Sequence, residues 1–319
     1  MKKSTYLLIV ILLIISILIS GCGKTPGDKK NYENPNDEQN NEQTSACGII
    51  DGFDKSTHQY SNIDGVNPSL LSLDVYTPRF KESCKSKLPI MIYVHGGGWQ
   101  KGDKENPTSI LYKAPYFTKK GYAYISVNYR LSPAVMYPVH NQDAANAIKW
   151  VYDNADSFNG DTSKITLMGH SAGGGIISAI STDEKYLKQN GLSLNILKCA
   201  VSLDTQGYDI SRKVGIEKPD ELYVTAFGTN PEVWKDASPI NHISAGKGIP
   251  SFFIVTRGRN VRVQLAREFE GALKSAGVLT ELLEAKGLTH EEAGRYIGDP
   301  SDSMITPIIQ KFLDANCAS

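Results

Sequence analysis

The 319-residue sequence lacks an excess of charge of either sign. It contains 34 Lys and Arg residues against 34 Asp and Glu residues, so its formal net charge is zero. Such a chain presents no overall field that attracts polyanions, which makes nucleic-acid binding a poor hypothesis. Charged residues make up 21% of the chain and hydrophobic residues 40%, a balance typical of a globular protein rather than of a disordered one.

Cysteine and histidine are also scarce, with five and six residues respectively. No CxxC pair occurs and the histidines are scattered, so the sequence predicts no metal site. Cys199 lies inside an apolar run, residues 196–203, which predicts a buried free thiol. One disulfide bond is expected among the remaining cysteines of the folded part, with the pairing left open: Cys47, Cys84 and Cys317.

The N-terminus carries the longest apolar run. Lys2 and Lys3 precede thirteen residues, 7–19, that are apolar except for Ser16. A membrane-spanning helix needs about 20 such residues, and a positive start followed by a shorter run is typical of an export signal. A retained N-terminal anchor helix stays open as the alternative.

Residues 18–22, at the end of this run, read Leu-Ile-Ser-Gly-Cys. This sequence resembles the lipobox of bacterial lipoproteins. The resemblance implies a signal peptide and lipobox over residues 1–22, with Cys22 lipidated and becoming the new N-terminus after cleavage. Several acyl chains on one residue anchor a protein stably. We therefore expect an extracytoplasmic protein that is attached to the cell membrane through a lipid anchor.

Residues 23–46 are dominated by Asn, Gln, Asp, Glu and Lys, and Tyr32 is their one large apolar side chain. Such a segment cannot bury enough surface to offset the entropy lost on ordering. The composition predicts a disordered polar tether, followed by a single folded domain over residues 47–319.

Within this domain, apolar runs alternate with segments of helical periodicity. Two strands are predicted near the N-terminus of the domain, the second at residues 70–76, and further strands are predicted at residues 88–94, 122–128, 164–168, 196–203, 251–256 and 280–285. Helices are predicted at residues 108–120, 140–158, 172–180, 261–275 and 305–313. This alternation predicts an α/β fold with a mostly parallel central sheet, helices on both faces, and an irregular insertion at 205–248 between the sixth and seventh strands.

One predicted strand runs directly into the sequence Gly-His-Ser-Ala-Gly at residues 169–173. A GxSxG sequence between a strand and a helix forms a sharp turn that exposes the serine Oγ above the sheet. The helix that begins behind it directs backbone N–H groups toward the same point. Ser171 is therefore the candidate nucleophile, and a glycine-rich turn with an ordinary surface serine is the alternative.

A second motif, His-Gly-Gly-Gly-Trp at residues 95–99, follows the strand at 88–94. Glycines leave backbone N–H groups unobstructed, so this loop can donate hydrogen bonds to a developing oxyanion. The two motifs resemble those of the α/β-hydrolase superfamily and its HGGG-type esterases and lipases. Residues 100–104, Gln-Lys-Gly-Asp-Lys, resemble its feruloyl-esterase-like and carboxylesterase branch.

The resemblance spans roughly residues 65–315 and includes Asn-Tyr-Arg-Leu-Ser-Pro at 128–133, Tyr-Pro at 137–138 and the helix that carries Asp143. It implies an α/β-hydrolase fold, an oxyanion hole formed by the N–H groups of Gly97, Gly98 and Ala172, and catalysis without a cofactor. Its order of catalytic groups, serine then acid then histidine, implies a histidine near the C-terminus.

Two histidines follow Ser171 in the chain. His290 comes just after the last predicted strand, where the family has its catalytic histidine, and is the predicted base. His242 lies in the insertion and is expected to help pack it. His95 is expected to orient the glycine loop, and His170 to point away from the nucleophile as a buried packing group or a support for the catalytic residues.

The acid departs from the family pattern. The family has an Asp after the strand at 251–256, but residues 257–262 here read Arg-Gly-Arg-Asn-Val-Arg. Asp204 ends the preceding strand at the same edge of the sheet, one strand closer to Ser171. Because catalytic groups gather along that edge, Asp204 is the predicted acid. Asn260 and Asp209 stay open as alternatives.

The sequence therefore predicts a serine hydrolase that cleaves carboxylic esters, either short-chain or polysaccharide-linked. A non-catalytic hydrolase-like binding module, and a peptidase or amidase on the same fold, are the alternatives. The insertion carries four large aromatic residues that either wall an acyl pocket or form a small core of their own: Tyr208, Tyr223, Phe227 and Trp234.

Overall fold

The computed structural model of the chain describes residues 48–82, 86–215, 219–258 and 261–317. The expected signal peptide, Cys22 and the tether lie outside the described residues. Cys47, Cys84 and Asn260 also lie outside them.

One sheet of eight strands organises the described part of the chain. The strands are β1 (Ile49–Gln59), β2 (Ser72–Phe80), β3 (Leu88–Val94), β4 (Ala123–Val127), β5 (Gly160–His170), β6 (Leu197–Leu203), β7 (Ser251–Thr256) and β8 (Thr280–Glu284). Their order is β1-β2-β4-β3-β5-β6-β7-β8. β1 and β2 pair antiparallel, β2 also pairs antiparallel with β4, and every pairing from β4 to β8 is parallel. The predicted mostly parallel α/β sheet is confirmed.

Helices cover both faces of this sheet. They are α1 (Pro107–Ile110), α2 (Lys113–Lys119), α3 (Val139–Asn154), α4 (Ala172–Thr182), α5 (Lys185–Lys188), α6 (Ser211–Val214), α7 (Glu221–Phe227), α8 (Pro231–Ala237), α9 (Val261–Ser275), α10 (His290–Arg295) and α11 (Thr306–Asn316). Across the described ranges, no helix has the length and apolar character needed to cross a membrane.

Strand β3 shows why its sequence is continuously apolar. Ile90, Ile92 and Val94 contribute to the core on one face of the sheet, while Met91 and Tyr93 contribute to the core on the other. Successive side chains of a strand point to opposite faces, so a strand covered on both faces needs apolar residues at every position. Helices α3, α4 and α9 bury the first face, and α2 and α11 bury the second.

Two predictions of secondary structure were wrong. The single helix expected at residues 108–120 is divided into α1 and α2, because the ring of Pro115 is incompatible with a helical carbonyl at Leu111, four residues earlier. The insertion is not irregular, since it contains α6, α7 and α8. Asp220 and Asn230 cap α7 and α8 by accepting hydrogen bonds from backbone N–H groups. Helices of four to seven residues are too short to leave a clear periodic pattern.

The prediction of a free thiol at Cys199 was also wrong. Cys199 on β6 forms a disulfide bond with Cys317, with the two Cα atoms 5.8 Å apart. Cys317 follows α11, which packs on the face of the sheet where the Cys199 side chain points. The apolar run around Cys199 correctly indicated burial, but it carries no information about a partner 118 residues away.

Candidate active site

Ser171 occupies the turn between β5 and α4 in a strained backbone conformation. Its φ is +55°, a value that residues with a side chain rarely adopt and that recurs at functional turns. Glycines on both sides make the turn possible. A Cβ atom at Gly173 would lie 2.1 Å from the carbonyl oxygen of Val94, and one at Gly169 would lie 2.4 Å from the carbonyl oxygen of Gly173.

A continuous hydrogen-bonded chain joins Ser171, His290 and Asp204. The Ser171 Oγ lies 2.9 Å from His290 Nε2, and His290 Nδ1 lies 2.6 Å from Asp204 Oδ2. An ionised carboxylate only accepts hydrogen bonds, so Nδ1 carries the proton and Nε2 is free to accept one from the serine hydroxyl. The structure thus brings together the three residues that the sequence singled out.

His290 is held at the first position of α10 by the local sequence. Thr289 caps the helix by accepting a hydrogen bond from the N–H of Glu292, and the Glu292 carboxylate accepts one from the N–H of Thr289. This reciprocal capping box defines where the helix begins. It therefore also defines the direction in which the imidazole leaves the backbone.

Asp204 immediately follows β6, which lies between β5 and β7. Its N–H donates to the carbonyl of Val255 on β7, at 2.7 Å, and its side chain is fully buried. The strand next to the nucleophile therefore supplies the carboxylate, one strand earlier than in the family pattern. Asp209 is not among the hydrogen-bond partners of His290, and Asn260 is outside the described residues.

Two arginines hold Asp204. The Arg257 Nε donates to Asp204 Oδ2 at 2.7 Å. Arg262 donates to the backbone carbonyl of Asp204 at 2.7 Å, and the same guanidinium nitrogen lies 3.3 Å from Oδ1. These arginines surround the segment where the family has its acid, and they serve here as partners of an acid on the neighbouring strand.

The glycine loop presents unpaired N–H groups beside Ser171. Gly97 and Gly98 have φ values of +118° and +63°, and a Cβ atom at Gly97 would lie 1.9 Å from the carbonyl oxygen of Lys101. Among the described residues, none accepts a hydrogen bond from the N–H of Gly97, Gly98 or Ala172. All three residues line the cleft that contains Ser171, so their donors are available to a bound oxyanion.

His95 supports this loop, as the sequence predicted. Its Nδ1 donates to the carbonyl of Gly96 at 2.7 Å, and its ring stacks on Tyr129 with centroids 4.4 Å apart. The Tyr129 hydroxyl donates to the carbonyl of His95 at 3.1 Å. The His95 imidazole therefore holds the backbone of the glycine loop in place.

His170 does not point away from the site, so this part of the prediction was wrong. It lines the same cleft, its ring centroid lies 4.6 Å from that of His290, and its Nε2 donates to the His290 carbonyl at 2.8 Å. Helix α10 is held at its other end by Lys113, whose buried ammonium donates to the carbonyl of Gly294. Sequence reasoning had no signal for these contacts, because the partners are more than 100 residues apart.

The buried histidines predict a loss of stability in acid. Burial, followed by the neighbouring His290, lowers the pKa of His170 from 6.5 to about 3, and burial lowers that of His140 to about 4. Below about pH 6.5 the unfolded chain therefore binds protons that the folded protein excludes, and stability falls as the pH drops toward these values. For His170 this amounts to about 2 kcal/mol between pH 7 and pH 5.

Denaturant unfolding at pH 7 and pH 5 measures this effect. In the His170→Gln variant, an amide N–H replaces the imidazole N–H as hydrogen-bond donor, and the side chain no longer titrates. Its free energy of unfolding should therefore fall by about 2 kcal/mol less than that of the wild-type protein over this interval. Equal losses in the two proteins would show that His170 does not contribute to the acid sensitivity.

The cleft around Ser171 has a volume of about 500 Å³. The lining includes residues from the insertion and its neighbours: Thr205, Gln206, Asp220, Leu222, Tyr223 and Arg262. It also includes residues of α1, α10 and adjoining segments: Lys101, Asn106, Thr108, His290 and Glu291. The residues that α1, α10 and their adjoining segments contribute to the cleft are all polar.

The aromatic residues of the insertion do not form a core of their own, because they pack into the main core on one face of the sheet. Tyr208 stacks on Phe269 with centroids 4.4 Å apart, and Phe227 packs edge-on against Trp99 at 4.9 Å. Trp234 donates its indole N–H to the carbonyl of Gly228. Of the four aromatic residues named from the sequence, only Tyr223 lines the cleft.

His242 belongs to a separate polar cluster that connects the insertion to α4 and α5. Asp183, Asp236 and His242 are close enough together to hold a metal ion. However, the Lys185 ammonium lies 3.0 Å from Asp183 and 2.6 Å from Asp236, so a side-chain cation already neutralises these carboxylates. His242 donates to the Asp236 carbonyl at 2.7 Å, which is the packing role expected of it.

Comparison with known proteins identifies the family of the chain. The family model described as BD-FAE matches residues 73–273, well over half of the 319 residues. The chain belongs to the BD-FAE family. The matched segment contains the glycine loop, Ser171 and Asp204, and His290 lies beyond its end.

Curated relatives of this BD-FAE protein include esterases. Esterase LipQ of Mycobacterium tuberculosis is 28% identical over 204 residues, which cover 61% of this chain and 48% of the relative. Tuliposide A-converting enzyme 2 of Tulipa gesneriana is 26% identical over 254 residues, which cover 75% of this chain and 66% of the relative. The chain thus spans about half to two thirds of the length of these relatives.

Solved structures show the same fold. A truncated form of a carbohydrate esterase from gut microbiota superimposes with a TM-score of 0.66 and 20% sequence identity, over 84% of this chain and 98% of that chain. A thermophilic esterase from Thermogutta terrifontis, with butyrate bound, gives a TM-score of 0.63 and 24% identity over 81% and 92% of the two chains. The BD-FAE protein therefore has the α/β-hydrolase fold.

Proposed function

We propose that this BD-FAE protein is a serine hydrolase that cleaves carboxylic esters. The observation that carries the proposal is the unbroken hydrogen-bonded chain from Ser171 through His290 to Asp204, with unpaired N–H groups of the glycine loop beside the serine. A nucleophile, a base, an orienting acid and an oxyanion hole are the complete set that acyl transfer requires. The esterase names among the curated relatives support the same reaction class.

In the proposed reaction, the Ser171 Oγ attacks the ester carbonyl carbon while His290 Nε2 accepts its proton. The N–H groups of Gly97, Gly98 and Ala172 stabilise the oxyanion of the tetrahedral intermediate. Protonated His290, stabilised by Asp204, then donates the proton to the departing alkoxide, which leaves an acyl-serine. A water molecule, deprotonated by His290, then attacks the acyl-enzyme, and His290 returns this proton to the Ser171 Oγ as the acid is released.

The substrate class follows from the cleft. We propose short-chain or polysaccharide-linked acyl esters, because α1 and α10 pack together and the cleft residues of this region include Asn106, Thr108 and Glu291, which offer hydrogen-bonding groups near His290. Such groups suit the hydroxyls of a polyol better than an apolar alcohol.

The reaction class is tested with the purified protein, p-nitrophenyl acetate and a fluorophosphonate probe. We expect steady turnover of the ester and stoichiometric labelling at Ser171, because a fluorophosphonate reacts only with an activated serine. A hydrolase-like binding module would neither turn over the ester nor take the label. Turnover of a chain-length series of p-nitrophenyl esters and of methyl ferulate would define the acyl preference.

We also propose that the protein is exported and anchored to the cell membrane through Cys22. The proposal is based on the lipobox-like residues 18–22, and the Cys199–Cys317 disulfide bond supports it, because disulfides persist in oxidising compartments outside the cytoplasm. The polar segment that follows Cys22 would carry the catalytic domain away from the membrane surface.

Metabolic labelling with an alkyne fatty acid tests the anchor. The wild-type protein should incorporate the label and sediment with membranes, and Cys22→Ala should incorporate none, because lipidation requires the thiol. A wild-type protein that sediments with membranes without taking up label would instead indicate a retained N-terminal helix.

A further inference from the structure

The catalytic groups orient an ester bound in the cleft. His290 must deliver a proton to the leaving oxygen, so the alcohol lies near His290, where α10 packs beside α1. The carbonyl oxygen lies at the N–H groups of the glycine loop, so the acyl group on the same carbonyl carbon lies near the residues that pack on this loop. These residues include Leu222 and Tyr223 of α7, which also line the cleft.

Leu222 stands directly against the glycine loop. A Cβ atom at Gly98 would lie 2.3 Å from Leu222 Cδ1 and 2.9 Å from its Cγ, so the leucine side chain packs on the Gly98 Cα with no space between them. The Gly98 N–H is one of the donors available to the oxyanion. The methyl groups of Leu222 therefore lie next to the position of the substrate carbonyl.

The helix that carries Leu222 is fixed in place. Asp220 caps α7 by accepting a hydrogen bond from the N–H of Leu222 at 3.2 Å. Tyr223 and Phe227, on the buried side of the helix, pack edge-on against Trp99 of the glycine loop, with centroids 5.0 and 4.9 Å away. The glycine loop and α7 thus form one packed unit. A longer acyl chain cannot move the helix aside without breaking these aromatic contacts.

We propose that Leu222 closes the acyl subsite. It thereby restricts the protein to esters of short acyl groups, such as acetyl, and excludes longer ones, such as hexanoyl. The proposal rests on the ester hydrolysis proposed above and assigns its acyl specificity to one side chain. Leu222 is 38% exposed, so its removal opens the subsite to solvent without creating a buried cavity in the core. Tyr223 then becomes the apolar surface that a longer chain contacts.

The test compares kcat/KM for p-nitrophenyl acetate, butyrate and hexanoate in the wild-type protein and in Leu222→Ala. We expect the hexanoate-to-acetate ratio of kcat/KM to rise by about 10-fold or more in the variant, since one or more methylene groups gain space against an apolar wall. Leu222→Phe should change selectivity in the opposite direction, with butyrate turnover falling more than acetate turnover.

Leu279→Ala is the matched control. Leu279 is also an exposed leucine, at 49%, and it does not line the cleft, so its removal should leave the ratio unchanged. A change of less than twofold in both Leu222 variants, with unaltered thermal unfolding, would overturn the assignment of Leu222 while leaving ester hydrolysis intact. Failure of the wild-type protein to hydrolyse any of the three esters would refute the proposed function itself.

Discussion

Replacing Ser171 with alanine is expected to lower kcat for p-nitrophenyl acetate by about 10⁴- to 10⁶-fold, as removal of a triad nucleophile does. The Ser171 Oγ is the atom that forms the acyl-enzyme, and in the described part of the chain no other hydroxyl forms a hydrogen bond with His290 Nε2. Steady-state hydrolysis, measured against the uncatalysed rate, gives the loss directly. The residual rate should reflect only the oxyanion hole and substrate binding.

The fold should survive this substitution. Ser171 has a positive φ that strains alanine as much as serine, and its N–H bond to the Leu203 carbonyl, at 2.9 Å, does not involve the side chain. The thermal unfolding of Ser171→Ala should therefore match that of the wild-type protein within a few degrees. Turnover that survives in a folded variant would contradict the assignment of the nucleophile.

Replacing Asp204 with asparagine is expected to lower kcat by about 10³- to 10⁴-fold, by analogy with other triad Asp→Asn changes. An amide of the same shape cannot stabilise the imidazolium that forms on His290. It can also donate a hydrogen bond to Nδ1, which would place the proton on Nε2, where the serine proton must go. In addition, Arg257 and Arg262 would face a neutral group. Steady-state kinetics on the same ester measure the loss.

Asp209→Asn is the matched control for this prediction. Asp209 lies five residues along the same segment, is half-buried and is not among the partners of His290, so its amide variant should keep kcat within about threefold because it touches none of the reacting groups. A loss of less than tenfold in Asp204→Asn would exclude it as the triad acid. A larger loss in Asp209→Asn than in Asp204→Asn would transfer the role to Asp209.

The nucleophile and the glycine loop could be recognised from the sequence because each depends only on residues that are neighbours along the chain. The turn at Ser171 needs glycines at fixed neighbouring positions, and the approach of Gly173 to the Val94 carbonyl explains why no larger residue fits there. The loop at Gly97 and Gly98 likewise needs backbone conformations that only glycine adopts freely. Such requirements leave short motifs that a reader of the sequence can find.

Asp204 was harder to predict because only its position at the end of a strand indicated its role. No motif surrounds it, and the position where the family has its acid is occupied by arginines in this chain. The argument used only the rule that parallel strands end at one edge of a sheet, together with the adjacency of β6 to β5. That rule was sufficient to place the carboxylate within reach of His290.

The sequence by itself determined the strand and helix alternation, the turn at Ser171, the glycine loop and the candidate histidine, because these depend on neighbours along the chain. Only the tertiary structure decided the partner of Cys199, the contact of His170 with His290, and the packing of Leu222 on Gly98. Each of these joins residues separated by about 120 positions that different elements bring together. Burial and periodicity indicate that a side chain is enclosed, but the residue that faces it is set by how the helices and the insertion pack on the sheet.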